Sequence, residues 1–188
     1  HTFFNVVCTC IFLPMTNLFV KISCKIISDK KDKSRPADDA VLLDERFIQT
    51  PAVAVNQANK AATRMAELAM QSLKTAFDGF VAEKKKKKEQ VDELNARVSD
   101  MEKRIVAYLI KISASDLSLN DERLISSIHH ATSDIIRISE LADNITKYTR
   151  NCKRDGIEFS QGVIRSLQDM YAKIEDLYGK TLDVFDKK

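Results

Sequence analysis

The feature that most constrains this sequence is an apolar stripe of helical period between Glu122 and Cys152. Its members are spaced alternately by four and three positions: Leu124, Ile128, Ala131, Ile135, Ile138, Ala142, Ile145, Tyr148 or Thr149, and Cys152. This spacing places them on one face of a long helix, which we expect to pack against other helices. Glu140 falls on the opposite face, with Ile136 and Asp143 near it. That second face is predicted to be free for another contact.

Two segments before this helix repeat the same rhythm. Thr50 followed by Pro51 predicts a helix start, because a hydroxyl caps the helix and proline fits its first turn. Apolar residues then recur with helical spacing from Val55 to Phe80 and again from Val91 to Ile112. The helix with the stripe from Leu124 to Cys152 follows, with Asn120 as its predicted N-cap.

A fourth helix is predicted after the turn at Asp155-Gly156, with Ser160 as its N-cap. Its predicted packing stripe consists of Val163, Leu167, Met170, Ile174, Leu177, Thr181 and Val184. The sequence has only 4 Gly, 3 Pro and no Trp, so few residues interrupt these helices. Four amphipathic helices with short connections predict an all-α, up-down antiparallel bundle.

The N-terminal segment has a different character. Residues 2–20 carry no charge, and the apolar run extends to Ile27, which gives about the 20 residues that a membrane-spanning helix needs. We predict a transmembrane helix at residues 1–28, a linker at 29–45 and a helical bundle at 46–188. A buried helix of a soluble domain and a signal peptide are the alternatives, although the basic segment that should precede a signal peptide's apolar run is missing.

Basic residues follow the apolar run, and they set the predicted orientation. They are Lys21, Lys25, Lys30, Lys31, Lys33 and Arg35. Because positive charge is enriched on the cytoplasmic side of membrane helices, residues after about 28 are expected to lie there, at the inner (cytoplasmic) membrane.

Five consecutive lysines separate the first two bundle helices: Lys84, Lys85, Lys86, Lys87 and Lys88. A solvated helix end is the ordinary interpretation of such a run. If it lies near a membrane, the same run attracts anionic lipid, at about 1 kcal/mol per lysine. We therefore name these residues as candidate lipid-proximal cations.

No motif in the sequence assembles enzyme chemistry. It has no phosphate-binding glycine loop, no metalloprotease motif and no nucleophile set beside a base, so we expect no enzyme. His129 and His130 are adjacent, so on a helix they point in different directions. Glu140 and Asp143 are the candidate oxygen ligands, but without a shaped loop we expect solvated acids and no metal or cofactor.

The charge balance argues against one class of partner. A net charge of +3, with no basic stripe interleaved with aromatic residues, does not predict nucleic-acid binding.

Several segments together resemble a known family. His1-Thr2-Phe3-Phe4-Asn5 and Phe12-Leu13-Pro14 resemble the last membrane segment of bacterial sodium/phosphate cotransporter family proteins. The stretch from Asp134 to Ile145 is similar to the third-helix pattern of a PhoU-like regulatory domain, Asp-Leu-Glu-Arg-Ile-Gly-Asp-x-x-x-Asn-Ile. That pattern's acidic pair holds metal clusters in the family. Here Ile136 and Glu140 stand at those two positions, so we expect the metal site to be lost.

The resemblance implies a regulatory domain at the C-terminus of a sodium-dependent phosphate transporter. Sodium and phosphate would bind only in a membrane domain upstream, and Glu140, Asp143 and Asn144 would form the face that interacts with it. The fourth helix resembles the first helix of a second three-helix repeat. The implied partners are the membrane domain, the membrane and a second copy of the chain. A membrane-anchored helical scaffold or signalling coiled coil without transport activity is the alternative function.

Overall fold

The computed structural model describes residues 43–82 and 87–186. Within these ranges the chain is all-α, with four long helices, one short 3-10 helix and no strand. The 3-10 helix is Glu45–Gln49, and the long helices are α1 (Pro51–Ala82), α2 (Lys87–Ile112), α3 (Leu119–Arg154) and α4 (Gln161–Asp186). The predicted helical class is therefore confirmed.

The predicted membrane helix at residues 1–28 lies outside the described ranges. Among the helices at 43–82 and 87–186, none combines the length and the apolar character that crossing a membrane requires.

The helix ends follow local capping chemistry. α1 begins at Pro51, as expected. The prediction of Asn120 as the N-cap of α3 is wrong, because the Ser118 hydroxyl accepts a hydrogen bond from the Asp121 amide at 3.1 Å and α3 begins one residue after Ser118. α3 ends before Gly156, whose φ of 65° is the left-handed conformation that glycine adopts without a steric penalty.

The first three helices form an antiparallel unit around α1. The Ser72 hydroxyl of α1 donates a hydrogen bond to Asn95 of α2, and nearer the connection Lys87 of α2 pairs with Asp78 of α1. The residue number rises from Ser72 to Asp78 along α1 while it falls from Asn95 to Lys87 along α2, so the two helices are antiparallel. Asn95 also donates to the backbone carbonyl of Ser139, which places α3 beside α2.

The predicted apolar stripes of α1, α2 and α3 form the core of this unit. Fully buried side chains from the three helices include Val55, Ala62, Met65, Leu68, Val91, Val98, Ile105, Ile112 and Ile128. Many α1 core positions are alanines, which let the neighbouring helices approach closely. The choice left open at the end of the α3 stripe is settled, because Thr149 is half-buried whereas Tyr148 is 64 % exposed.

The segment before α1 packs on the bundle. Leu43 contacts the core, and the Tyr108 hydroxyl of α2 donates to the Asp44 carbonyl oxygen at 2.9 Å. Lys111 pairs with Glu45 of the 3-10 helix.

α4 lies antiparallel along α1. Asn59 donates to the Phe185 carbonyl oxygen at 3.2 Å, and Lys74, further along α1, pairs with the earlier residue Glu175 at 2.6 Å. The up-down order of the four helices therefore agrees with the prediction. The helix packs mainly on α1, and none of its residues is fully buried.

The prediction of which face of α4 packs is wrong. The residues that meet α1 and the core are Tyr171, Tyr178, Leu182 and Phe185. From the predicted stripe only Leu167 is half-buried; Val163, Met170, Ile174, Leu177, Thr181 and Val184 are exposed. The physical reason is that α4 carries two adjacent apolar stripes, and the aromatic one fits against α1.

Candidate functional site

An open cleft between α2 and α3 contains the predicted acidic residues. Its volume is about 400 Å³. Glu140 and Asp143 of α3 line it together with Asp92 of α2, and Ile136 and Ser139 complete the α3 wall. The cleft therefore brings together two of the predicted interaction residues and one acid that the sequence analysis did not single out.

Buried polar groups form the floor of this cleft. The Ser72 hydroxyl donates to Asn95 Oδ1 at 2.6 Å, and Asn95 Nδ2 donates to the Ser139 carbonyl oxygen at 3.0 Å. Ser72 is completely buried, so its hydroxyl has no access to water. The hydrogen bond to Asn95 replaces the one that the hydroxyl would otherwise make with water. The relay ties α1, α2 and α3 together directly below the cleft.

Lysines neutralise two of the three carboxylates. Asp143 pairs with Lys147 at 2.7 Å, and Asp92 pairs with Lys88 at 2.5 Å. Within residues 43–82 and 87–186, no three acidic, histidine or cysteine side chains are grouped so that they could hold one metal ion. The geometry thus makes this cleft a polar surface and offers no ready ligand set for a cation.

The predicted free face of α3 needs a correction. Glu140 and Asn144 are exposed, but Ile136 and Asp143 are half-buried, and Ile136 packs against the hydrophobic core. α2 lies on that side of α3 and covers part of the face that the helical projection left open. Of the three predicted interaction residues, Glu140 and Asp143 line the cleft and Asn144 does not.

The paired histidines do not converge. The ring centroids of His129 and His130 are 6.2 Å apart with an angle of 54° between the rings, and both side chains are exposed.

The end of the bundle that contains Lys87 and Lys88 is basic. Lys84, Lys85 and Lys86 lie outside the described residues. Lys87 and Lys88 form the first turn of α2, where they pair with Asp78 at 2.9 Å and with Asp92 at 2.5 Å. The pKa of Lys88 is raised mainly by the hydrogen bond to Asp92, whereas nearby Arg150 of α3 acts in the opposite direction.

The outer face of α4 leaves several large apolar side chains exposed. The outer stripe, as we name it, consists of Val163, Met170, Ile174, Leu177 and Val184, with exposed fractions between 43 % and 66 %. Sequence reasoning identified these residues but assigned them to the core. Because contiguous exposed apolar surface usually marks an interaction site, the outer stripe is a candidate contact surface.

Comparison with known proteins agrees with the helical architecture. A PhoU domain is found at residues 62–149. The match begins inside α1, includes all of α2 and ends near the end of α3, so it follows the antiparallel three-helix unit and stops before α4. No curated protein and no solved structure matches the chain.

Proposed function

We propose that the chain is the regulatory PhoU-like part of a sodium-dependent inorganic phosphate transporter and acts by contact with that transporter's membrane domain. The observation that carries the proposal is the PhoU domain at residues 62–149, because such domains are commonly regulatory in phosphate homeostasis. The link to a transporter rests on the resemblance of the N-terminal segment to a cotransporter's last membrane span.

The proposed mechanism is a shift in conformational populations. The membrane domain binds sodium and phosphate, and the bundle favours one of its conformations by binding that conformation more tightly. A bundle with equal affinity for every conformation would have no effect on transport. The role is therefore non-enzymatic, and the proposed location is the cytoplasmic side of the inner membrane.

We assign the contact chiefly to the outer stripe of α4. Leu177 is 66 % exposed and Met170 is 54 % exposed, so covering them removes apolar surface from water and favours association. The exposed residues Glu140 and Asn144 of α3 offer a second, polar surface for the same partner.

Sodium-dependent phosphate uptake into membrane vesicles tests this function. The intact parent protein is compared with a version that ends after Lys33 and so lacks the bundle. We expect uptake in both, with a changed rate or a changed dependence on phosphate concentration after truncation. If the intact protein shows no sodium-dependent phosphate uptake, the transporter assignment is wrong.

One observation favours the alternative of a membrane-anchored helical scaffold. The predicted α4 stripe follows a seven-residue repeat from Val163 to Val184, which is the spacing of a helix that pairs with another helix. In that function two copies of the chain would pair through α4. Light scattering tests the scaffold, because that function requires a dimer that Leu177→Asp dissociates, and a monomer would contradict it.

A further inference from the structure

A second and larger cavity lies at the end of the bundle where α1 ends and α2 begins. Its volume is about 710 Å³, and the last turns of α3 and the α3–α4 connection complete its wall. This volume is within the range of about 300–1,000 Å³ that is typical of small-molecule sites. The proposed transporter function does not use this cavity.

Basic side chains from two helices converge on this cavity. Lys87 and Lys88 come from the first turn of α2, and Arg150, Lys153 and Arg154 come from the end of α3. Two acidic residues, Glu89 and Glu158, also line the cavity, so its wall carries more positive than negative charge.

The helix dipole explains the basic residues at the end of α3 but not those at the start of α2. Cations at the end of α3 are favourable, because the C-terminus of a helix carries a partial negative charge. Lys87 and Lys88 occupy the opposite position, the start of α2, where the partial charge is positive and acidic residues are preferred. Arg150 also repels Lys88, and an anion bound between them offsets this repulsion.

Two of the five cations have no acidic partner within the described ranges. Lys87, Lys88 and Arg154 pair with Asp78, Asp92 and Asp155. No described residue forms an ion pair with Arg150 or Lys153, and both side chains are exposed at the cavity. They are available for hydrogen bonds to phosphate oxygens, and a planar guanidinium suits such a contact.

The rest of the cavity wall is apolar and partly aromatic. The rings of Phe80 and Phe159 lie 5.4 Å apart between centroids at an angle of 54°. Phe159 is 41 % exposed and Ile157 is 52 % exposed, although both line the cavity. An exposed aromatic ring beside a cationic wall suits a ligand that combines phosphate groups with a flat base, since bases stack on aromatic side chains.

We propose that this cavity binds a nucleotide, with its phosphate groups at Arg150 and Lys153 and its base against Phe159. The inference rests on the cavity alone and goes beyond the proposed transporter function, so either can fail while the other holds.

Isothermal titration of the full chain with ATP, inorganic triphosphate and adenosine tests the proposal. We expect ATP to bind more tightly than triphosphate and adenosine to bind most weakly. Arg150→Gln and Lys153→Gln should each weaken ATP binding about tenfold, because each removes a charged hydrogen-bond donor to the phosphate oxygens. Phe159→Ala should weaken ATP binding and leave triphosphate binding unchanged.

Matched substitutions control for net charge and folding. Arg123→Gln on α3 and Lys103→Gln on α2 remove the same charges from exposed positions outside the cavity and should leave ATP binding unchanged. Circular dichroism melts show whether each variant folds. If Phe159→Ala is unfolded, Phe159→Leu takes its place, because it removes the aromatic ring and keeps an apolar side chain.

Four outcomes would overturn the nucleotide site. They are an absence of ATP binding, equal affinity for ATP and triphosphate, an equal loss of affinity in the control variants, and binding to vesicles of anionic lipid without binding to ATP. The last outcome would assign the basic wall to a membrane surface instead.

Discussion

α3 and α4 have the same sequence rhythm but different surroundings. The α3 stripe is buried at Ile128, Ile135 and Ala142, whereas the corresponding stripe of α4 is exposed over most of its length. α3 contacts both α1 and α2, but α4 packs mainly on α1. The comparison shows that spacing predicts a helix and its apolar faces, while the number of neighbouring helices decides which face is buried.

Two leucines measure most strongly the difference in stability between a buried position of the three-helix unit and the exposed outer stripe of α4. Leu68 of α1 is 1 % exposed and Leu177 of α4 is 66 % exposed. Leu68→Ala should lower the free energy of unfolding by about 2–5 kcal/mol, because it leaves a cavity in the core. Leu177→Ala should change it by no more than about 0.5 kcal/mol, since it removes surface contacts only. Urea denaturation of both variants provides the test, and equal losses would mean that the outer stripe is buried in the folded protein.

The polar relay is expected to be the next most important contribution to the three-helix unit. Asn95→Ala removes the acceptor of the buried Ser72 hydroxyl and the donor to Ser139. A lost partner of a buried polar group costs about 1–3 kcal/mol, so the urea midpoint should fall accordingly. Asn144→Ala, at an exposed position on α3, is the control and should have little effect. A midpoint for Asn95→Ala as high as that of the control would refute the role of the relay.

Substitution of two tyrosines of α4 should separate the contribution of a hydrogen bond from that of ring packing to the docking of α4 on α1. Tyr178 donates a hydrogen bond to the Ala66 carbonyl oxygen at 2.9 Å, so Tyr178→Phe should cost about 1 kcal/mol. The buried Tyr171 hydroxyl has no hydrogen-bond partner among the described residues, although its ring stacks on Phe77 with centroids 4.4 Å apart. Tyr171→Phe should therefore be neutral or slightly stabilising. Thermal melts compare the two, and an equal loss would contradict the assigned hydrogen bond.

The same tyrosines predict a loss of stability in alkali. Burial raises the pKa of Tyr171 and of Tyr178 to about 12, above the ordinary value of 10.0. Their neutral forms therefore stabilise the folded state fully below pH 10, and this contribution disappears as the pH rises from 10 through 12. The double variant Tyr171→Phe/Tyr178→Phe should lose less stability over that interval than the unaltered chain. Tyr148→Phe, at a position 64 % exposed, should behave like the unaltered chain. Parallel losses in all three proteins would contradict the assigned burial.

Much of the three-helix unit was predictable because each helix has one dominant apolar stripe. Val98, Ile105 and Ile128 are buried as their spacing predicts. α4 was not predictable to the same extent, since Tyr171 and Tyr178 form a second stripe beside the one from Val163 to Val184. Spacing alone cannot decide which of two adjacent stripes meets α1.

The candidate sites depended on contacts between helices that are distant in sequence. Asp92 lines the same cleft as Glu140, and Lys88 lines the same cavity as Arg150. A single helical projection shows which residues share a face of one helix, but the cleft and the cavity arise only after two or three helices have packed. The lysine run was visible in the sequence, whereas the proximity of Lys87 and Lys88 to the end of α3 was not.

The most direct test of the account measures sodium-dependent phosphate uptake by the intact parent protein after the outer stripe is changed. Met170→Asp/Leu177→Asp introduces charge into the proposed contact, and Asp169→Asn on the polar side of α4 is the control. We predict that the double variant changes the phosphate dependence of uptake in the same direction as removal of the whole bundle, while the control resembles the unaltered protein. Unchanged uptake in a folded double variant would contradict the claim that α4 connects the bundle to the membrane domain.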